Sequence, residues 1–158
     1  MARLRPLVPA DLGELVDLYR DAVLSQARGR YSEPQIQAWA HHAGSDPGFA
    51  ASLRRGVGLA SLRTPEGGSI EAFGLLDPID RLSLLYCRGR SCRQGRGRAL
   101  VQALEREAHR RGVQQLRTEA SQLSRPLLER LGWVVEAEEE VPFAGIPFVR
   151  WRMIRALS

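Results

Sequence analysis

The residues of this chain best suited to handling a charged ligand lie together between positions 82 and 100. Leu82-Ser83-Leu84-Leu85-Tyr86-Cys87 reads as a strand and is followed by a basic loop. Gln94-Gly95-Arg96-Gly97-Arg98-Ala99-Leu100 then opens an amphipathic helix. Backbone N–H groups in such a turn have no intrahelical acceptor and point at whatever sits there. With the helix dipole they form an anion site suited to phosphate. Gly95 and Gly97 let the backbone approach a ligand with no Cβ in the way. Arg88, Arg90, Arg93, Arg96 and Arg98 crowd the turn, and the planar fork of arginine matches phosphate oxygens.

Two common phosphate motifs are absent. The turn lacks the Gly-Lys-Ser/Thr ending of a P-loop, and the chain contains no lysine. Gly-x-Gly-x-x-Gly also fails, because Arg98 is followed by Ala99, Leu100 and Val101. The strands before the turn read as hairpins rather than as the βαβ unit that a dinucleotide motif requires.

Composition narrows the chemistry further. All 23 basic residues are arginine, so Schiff-base catalysis by lysine is excluded. A net charge of +5 points to an anionic partner: nucleic acid, membrane or a phosphorylated small molecule. No aromatic interleaving or recognised motif supports nucleic acid. No apolar run approaches the ~20 residues of a membrane helix, and the basic N-terminus lacks the apolar run of a secretory signal. A cytoplasmic protein is expected. Cys87 and Cys92 would close only a tiny disulfide loop, and His41, His42 and His109 lack metal-ligand spacing to them, so reduced thiols and no metal are expected.

The elements that must position this turn follow from periodicity. Ala2 to Arg5 reads as a short strand ending at Pro6. Pro9-Ala10-Asp11 opens a helix with Leu12, Leu15, Val16, Tyr19 and Val23 at helical spacing. Ser32 and Pro34 start a second helix with Ile36, Trp39 and Ala40 on its apolar face. Val57 to Arg63, Ser69 to Leu76 and Leu82 to Cys87 form an antiparallel meander around the Thr64–Gly68 turn. A helix from Gly97 to Arg111, stopped by Gly112, precedes a strand from Val113 to Glu119. A short helix from Ser124 to Leu131 follows. The last strands, Val134 to Val141 and Ile146 to Ile154, are split by Pro142 to Pro147. The result is one domain spanning 1–158, a mixed, largely antiparallel α/β sheet of about seven strands with about four helices.

Gln94, Gly97 and Ala99 occupy the fixed places of the Gln/Arg-x-x-Gly-x-Gly/Ala signature of the GNAT acetyltransferase superfamily, which this chain resembles. The position of the motif after the central strand and Arg130-Leu131-Gly132-Trp133 before the final strands strengthen the resemblance, which covers essentially the whole chain. Tyr31-Ser32-Glu33-Pro34-Gln35 with Trp39, and Thr118-Glu119-Ala120-Ser121, resemble a bacterial subgroup. The resemblance implies a splayed pair made by the strand ending at Cys87 and the strand ending at Glu119, with pantetheine of acetyl-CoA between them. Backbone groups of Leu85 and Cys87 would bond the pantetheine and polarise the thioester. Amides from Gly95 to Ala99 would hold the pyrophosphate. The implied cofactor set is Leu85, Tyr86, Cys87, Arg93, Gln94, Gly95, Arg96, Gly97, Arg98, Ala99 and Ser121. Two departures accompany it: the loop between Cys87 and Gln94 is about two residues longer than usual, and Leu128 stands where many members carry the tyrosine that protonates the leaving thiolate.

The implied activity is direct transfer of acetyl to a primary amine. An amine of pKa near 10.4 costs roughly 4 to 5 kcal/mol to deprotonate at pH 7, and a carboxylate can accept that proton. Glu119 is the first candidate base, against a plain exposed strand-end glutamate. Tyr86 can serve as acid or acceptor wall, or simply pack. Ser121 can touch the cofactor or act as a weak acid, or cap a turn. Cys87 as a nucleophile competes with a buried small residue. Tyr31 and Trp39 would line the acceptor site or the core, and Glu136 to Glu140 would attract a cation or face solvent. The partners are acetyl-CoA and an amine, with monomer and homodimer both open. An acyl-CoA sensor without turnover and a nucleic-acid binder are the alternative classes. Gly97→Glu is expected to abolish acetyl-CoA binding by blocking the phosphates.

Overall fold

A computed structural model describes residues 3–158; Ala2, where the first strand was expected to begin, lies outside them. The strands are β1 (Leu4–Pro6), β2 (Val57–Thr64), β3 (Gly67–Leu76), β4 (Leu82–Cys87), β5 (Gln115–Ala120), β6 (Val134–Phe143) and β7 (Ile146–Ala156). The helices are α1 (Leu12–Gln26), α2 (Glu33–Ala40), α3 (His42–Ser45), α4 (Pro47–Arg55), α5 (Arg96–Arg110) and α6 (Arg125–Arg130). Short 3-10 turns lie at Pro9–Asp11 and Gly89–Ser91. β1 to β4 form an antiparallel meander in chain order, and β5, β7 and β6 form a second antiparallel sheet with β7 in the middle.

Two helices, α3 and α4, were not expected from the sequence. Asp46 accepts from the Gly48 amide and Pro47 sits in the first turn, so α4 has an ordinary N-terminal cap. Its buried Phe49 and Leu53 are four residues apart and face the core. The last hairpin also departs from expectation, since β6 and β7 run on through both prolines and turn at Ala144-Gly145, both with positive φ. Pro142 faces Pro147 in register, an opposition that a ladder tolerates at a non-hydrogen-bonded pair, where no N–H is required.

Two cores lie on opposite faces of the sheets. One joins Leu15, Leu18, Tyr19 and Val23 of α1, Trp39 of α2 and Phe49 of α4 to Ile70 and Phe73 of β3. The other joins Val101, Leu104 and Ala108 of α5 and Leu128 of α6 to Leu116 of β5 and Met153 of β7. Among the described residues, no helix is long and apolar enough to cross a membrane.

Candidate functional site

β4 and β5 run side by side in parallel but are joined only at their starts. A bridge pairs Arg81 with Arg117, the Arg117 amide donates to Asp80 O at 2.9 Å, and the buried Thr118 hydroxyl donates to Leu82 O at 2.6 Å. Past this seam the strands belong to separate sheets. The gap is a cavity of about 160 Å³ that reaches from α1 to α5 and α6, lined by Leu85, Cys87, Gly97, Thr118, Ser121 and Leu127 among others. The expected splay is present.

Backbone alternation decides what faces the gap. The Arg88 amide donates to Glu71 O on β3, so Tyr86 and Leu84, at even steps from it, turn the same way. Leu85 and Cys87 therefore turn their backbone polar groups toward the opening. Gln26 at the end of α1 donates to Cys87 O at 2.7 Å. That carbonyl is already used, and the two amides and the Leu85 carbonyl are left to meet a ligand.

The first turn of α5 has the open amides expected of an anion cradle. Gly95 caps it in the left-handed region at φ 80°, with no side-chain cap and no acidic residue in the first turn. Arg98 places an exposed cation at the positive end of the helix dipole, a repulsive arrangement that an anion would relieve. Gly97 lines the cavity, and a Cβ there would meet Leu127 Cδ2 at 2.9 Å. A Gly97 substitution thus disturbs the α5–α6 packing as well as the phosphate approach.

Several side chains assigned to this cradle do other work. Arg96 donates to Ser61 Oγ at 3.0 Å and to Leu62 O at 2.8 Å on β2, so its guanidinium braces the sheet and only its backbone faces the turn. Arg88 donates to Ile70 O and Asp17, and Arg90 to both oxygens of Glu71. The Ala99 amide is the first to close an intrahelical bond, at 3.0 Å to Gly95 O, and so is not available to a phosphate. Arg93, Gln94 and Arg98 remain exposed at the mouth.

Glu119 lies where three cavities meet, as do Tyr86 and Trp39. Arg81 Nη2 and Nε both donate to Glu119 Oε1, at 2.6 and 3.0 Å. Among the described residues Oε2 accepts no hydrogen bond, and the side chain is only 17% exposed. It is an oriented carboxylate at a junction, not a loose strand end. Trp39 Nε1 donates to the Tyr86 hydroxyl at 3.1 Å, and burial raises the phenol above its usual range, so it stays protonated and able to donate. The Ser121 hydroxyl accepts from the Leu123 and Ser124 amides, so it closes the turn into α6 while also lining the slot.

The remaining sequence candidates sort as follows. Burial, then the nearby Cys92, pushes the Cys87 thiol up to about 12, which argues against a nucleophile. Tyr31 and Trp39 stack edge-on at 5.1 Å and line a pocket with Phe143 and Phe148, so they serve core and cavity together. Leu128 is fully buried at the slot, with no hydroxyl to offer there. Within the acidic run, Glu139 pairs with Arg150 at 2.6 Å and Glu138 accepts from Trp151, so strand partners hold these two charges. Sequence reasoning missed Gln26, Arg81, Thr118 and Arg150. Gln26 and Arg150 reach the site from distant elements, while Arg81 lies just before one expected strand and Thr118 within another, and their partners across the gap are not visible in local sequence.

A second cavity, of about 380 Å³, opens on the α2–α4 side of β4, lined by His42, Asp46, Ser52, Arg55, Arg81 and Arg150 among others. A slot leading from the α5 cradle thus meets a separate pocket at Glu119 and Tyr86. That geometry lets a donor and an acceptor approach one point from opposite sides. No group of three or more His, Cys, Asp or Glu among the described residues could hold a metal ion.

Comparison with known proteins agrees with this geometry. The family model of the acetyltransferase (GNAT) domain matches residues 29–155, most of the chain. The GCN5-related N-acetyltransferase (aminotransferase, class-II) from Rhodopseudomonas palustris superposes with a TM-score of 0.92 at 27% identity, covering 99% of this chain and 96% of that one. The PaiA N-acetyltransferase from Thermoplasma acidophilum, solved with coenzyme A, superposes at 0.74 with 16% identity, covering 99% of both chains. A phosphinothricin acetyltransferase from Sinorhizobium meliloti, solved with acetyl-CoA, gives 0.69 at 19% identity, over 99% of this chain and 89% of that one. No curated protein matches the sequence.

Proposed function

The chain belongs to the GNAT acetyltransferase family, and from that premise we propose that it moves the acetyl group of acetyl-CoA to a primary amine by direct transfer. The observation that carries this reading is the junction at Glu119 and Tyr86, reached by the α5 slot on one side and the charged pocket on the other. Acetyl-CoA is the co-substrate. The first-turn amides of α5, with Arg93 and Arg98 at the mouth, suit its phosphates, and the β4–β5 gap suits an extended pantetheine arm. Structures of the Thermoplasma and Sinorhizobium proteins with coenzyme A and acetyl-CoA support that assignment.

In the reaction, the Leu85 and Cys87 amides, two residues apart and roughly 6.6 Å from each other along β4, divide the work: one donates to the thioester oxygen, which gains negative charge as the amine attacks, and the other to the pantetheine arm. Glu119 Oε2 accepts a proton from the acceptor ammonium, directly or through water, and the neutral amine then attacks the thioester carbon. The C–N bond forms and the C–S bond breaks, and the thiolate leaves with a proton from the Tyr86 phenol or from solvent. Tyr86 takes over the role for which Leu128 has no hydroxyl.

Buried Leu128 equally supports a second reading, an acyl-CoA binder with little turnover. Two measurements decide the matter. Calorimetry should show acetyl-CoA binding that weakens with salt and falls at least tenfold in Arg93→Glu/Arg98→Glu, two exposed positions. Thiol release from acetyl-CoA should rise when a panel of primary amines is added. Binding without amine-dependent release would leave only the sensor, and no binding would sink both readings.

A further inference from the structure

The acceptor side of the junction holds a more specific message. Arg150 lines both acceptor pockets together with Glu119, Tyr86 and Trp39. Its Nε donates to Glu139 Oε1 at 2.6 Å, which fixes the plane of the guanidinium. Among the described residues its two terminal nitrogens have no hydrogen-bond partner, and the side chain is 38% exposed. A guanidinium anchored through Nε presents its outer edge as a two-pronged donor, the geometry that grips a carboxylate. Glu139 also faces Arg152 at 3.9 Å, so one carboxylate serves two cations. The other guanidiniums of the charged pocket are committed, Arg55 to Asp77 at 2.9 Å and Arg81 to Glu119.

The third cavity is apolar. Tyr31, Trp39, Phe143, Phe148, Val141 and Val149 line an open pocket of about 140 Å³ beside Arg150 and Glu119. An apolar cavity of about 150 Å³ is enough to take a benzene ring. Aromatic walls set edge-on, such as Phe143 and Phe148 at 5.4 Å, favour a further ring. One small region therefore offers a carboxylate oxygen for an amine, a cationic fork for an anion and an apolar hole for a ring.

We propose that the acceptor is an amine carrying both a carboxylate and a phenyl-sized apolar group, an aromatic α-amino acid in chemical class, with Arg150 holding the carboxylate. This rests on the acetyl-transfer reading above and narrows it. The alternatives, simple amines and polycations, leave the Arg150 fork without a partner and add a cation beside it.

The test compares L-phenylalanine with phenylalanine methyl ester and with phenethylamine, which lack the anionic carboxylate but keep amine and ring. Thiol release should show kcat/KM for L-phenylalanine about tenfold to a hundredfold above both, the size of a lost charge-assisted hydrogen bond. In Arg150→Gln the advantage of L-phenylalanine over phenethylamine should shrink tenfold to a hundredfold, to near unity. The substrate comparison needs no variant, so a folding defect in Arg150→Gln cannot mask the answer. Equal rates for all three amines would overturn the carboxylate assignment while acetyl transfer stands. Acetyl-CoA binding with no amine-dependent release would overturn the transfer reading and this inference with it.

Discussion

Glu119 shows what a single residue gains from its surroundings. From sequence it is a carboxylate at the end of a strand. In the fold, Arg81 occupies one of its oxygens, the other has no hydrogen-bond partner among the described residues, and the residue lines three cavities. Glu119→Gln keeps the shape and one acceptor but cannot take a proton. It should lower kcat by about a hundredfold, the modest end of general-base effects, with acetyl-CoA affinity unchanged by calorimetry. A parallel loss of affinity would mean that the residue shapes the slot instead. The same scale shows the limits of sequence. The five arginines near the turn look alike as letters, yet Arg88, Arg90 and Arg96 find acceptors on β3, α1 and β2, and only Arg93 and Arg98 stay at the mouth. Nothing in local spacing separates them, because their partners are 18 to 71 residues away.

At the scale of elements, the strands, α1, α2, α5 and α6 were legible because each carries a clear apolar period or a cap signal. α3 and α4 were not, because Gly44, Ser45, Asp46, Pro47 and Gly48 carry no helical apolar period, and it is tertiary burial of Phe49 and Leu53 that makes α4 a helix. The long loop between β4 and α5 poses a different problem, since it must stay put for the α5 amides to form a cradle. Glu71 of β3 performs that task from full burial. It accepts from Arg90 Nε and Nη2 at 2.9 and 2.7 Å, from the Ser91 hydroxyl at 2.6 Å, and from Ser69. Arg90, then the two serine hydroxyls, outweigh desolvation and hold the Glu71 carboxyl far below its ordinary range. A depressed carboxyl contributes stability that is fully present above its unfolded pKa, about 4.3, and is lost as pH falls below that toward the native value. Glu71→Gln should therefore flatten the acid limb of a Tm-versus-pH curve below about pH 4.3 and lower Tm at pH 7. Loss of a buried partner costs about 3 kcal/mol, kept to the low end because Arg90 is half in water. That corresponds to roughly 6 to 12 °C for a chain of this size. An unchanged acid limb would place the loop anchor elsewhere.

The two sheets share helices and core, but their strands meet edge to edge at one seam, and that construction makes a prediction about the ligand. At the β4–β5 seam the direct polar ties include the bridge at Arg81 and Arg117, the Arg117 amide and guanidinium on Asp80, the Thr118 hydroxyl on Leu82 O and the Arg81–Glu119 pair. A ligand lying in the gap with hydrogen bonds to Leu85 and Cys87 on one sheet and contacts to Ser121 and α6 on the other would act as an added strand. It binds the native state alone, so it should stabilise by mass action, about 2.7 kcal/mol at a hundredfold excess over Kd. For about 150 residues that is a rise of roughly 5 to 11 °C in Tm. Thr118→Val keeps the volume but leaves Leu82 O without its buried donor, at a cost of about 1 to 3 kcal/mol. If the seam sets the width of the gap, the variant should also bind acetyl-CoA more weakly. Its Tm rise at equal ligand concentration would then be smaller than that of the wild type. If the seam only holds the sheets together, Thr118→Val should lower the starting Tm yet show the same ligand-induced rise. Differential scanning calorimetry of both proteins with and without acetyl-CoA separates the two, and only the first outcome makes the splay a device that the cofactor senses.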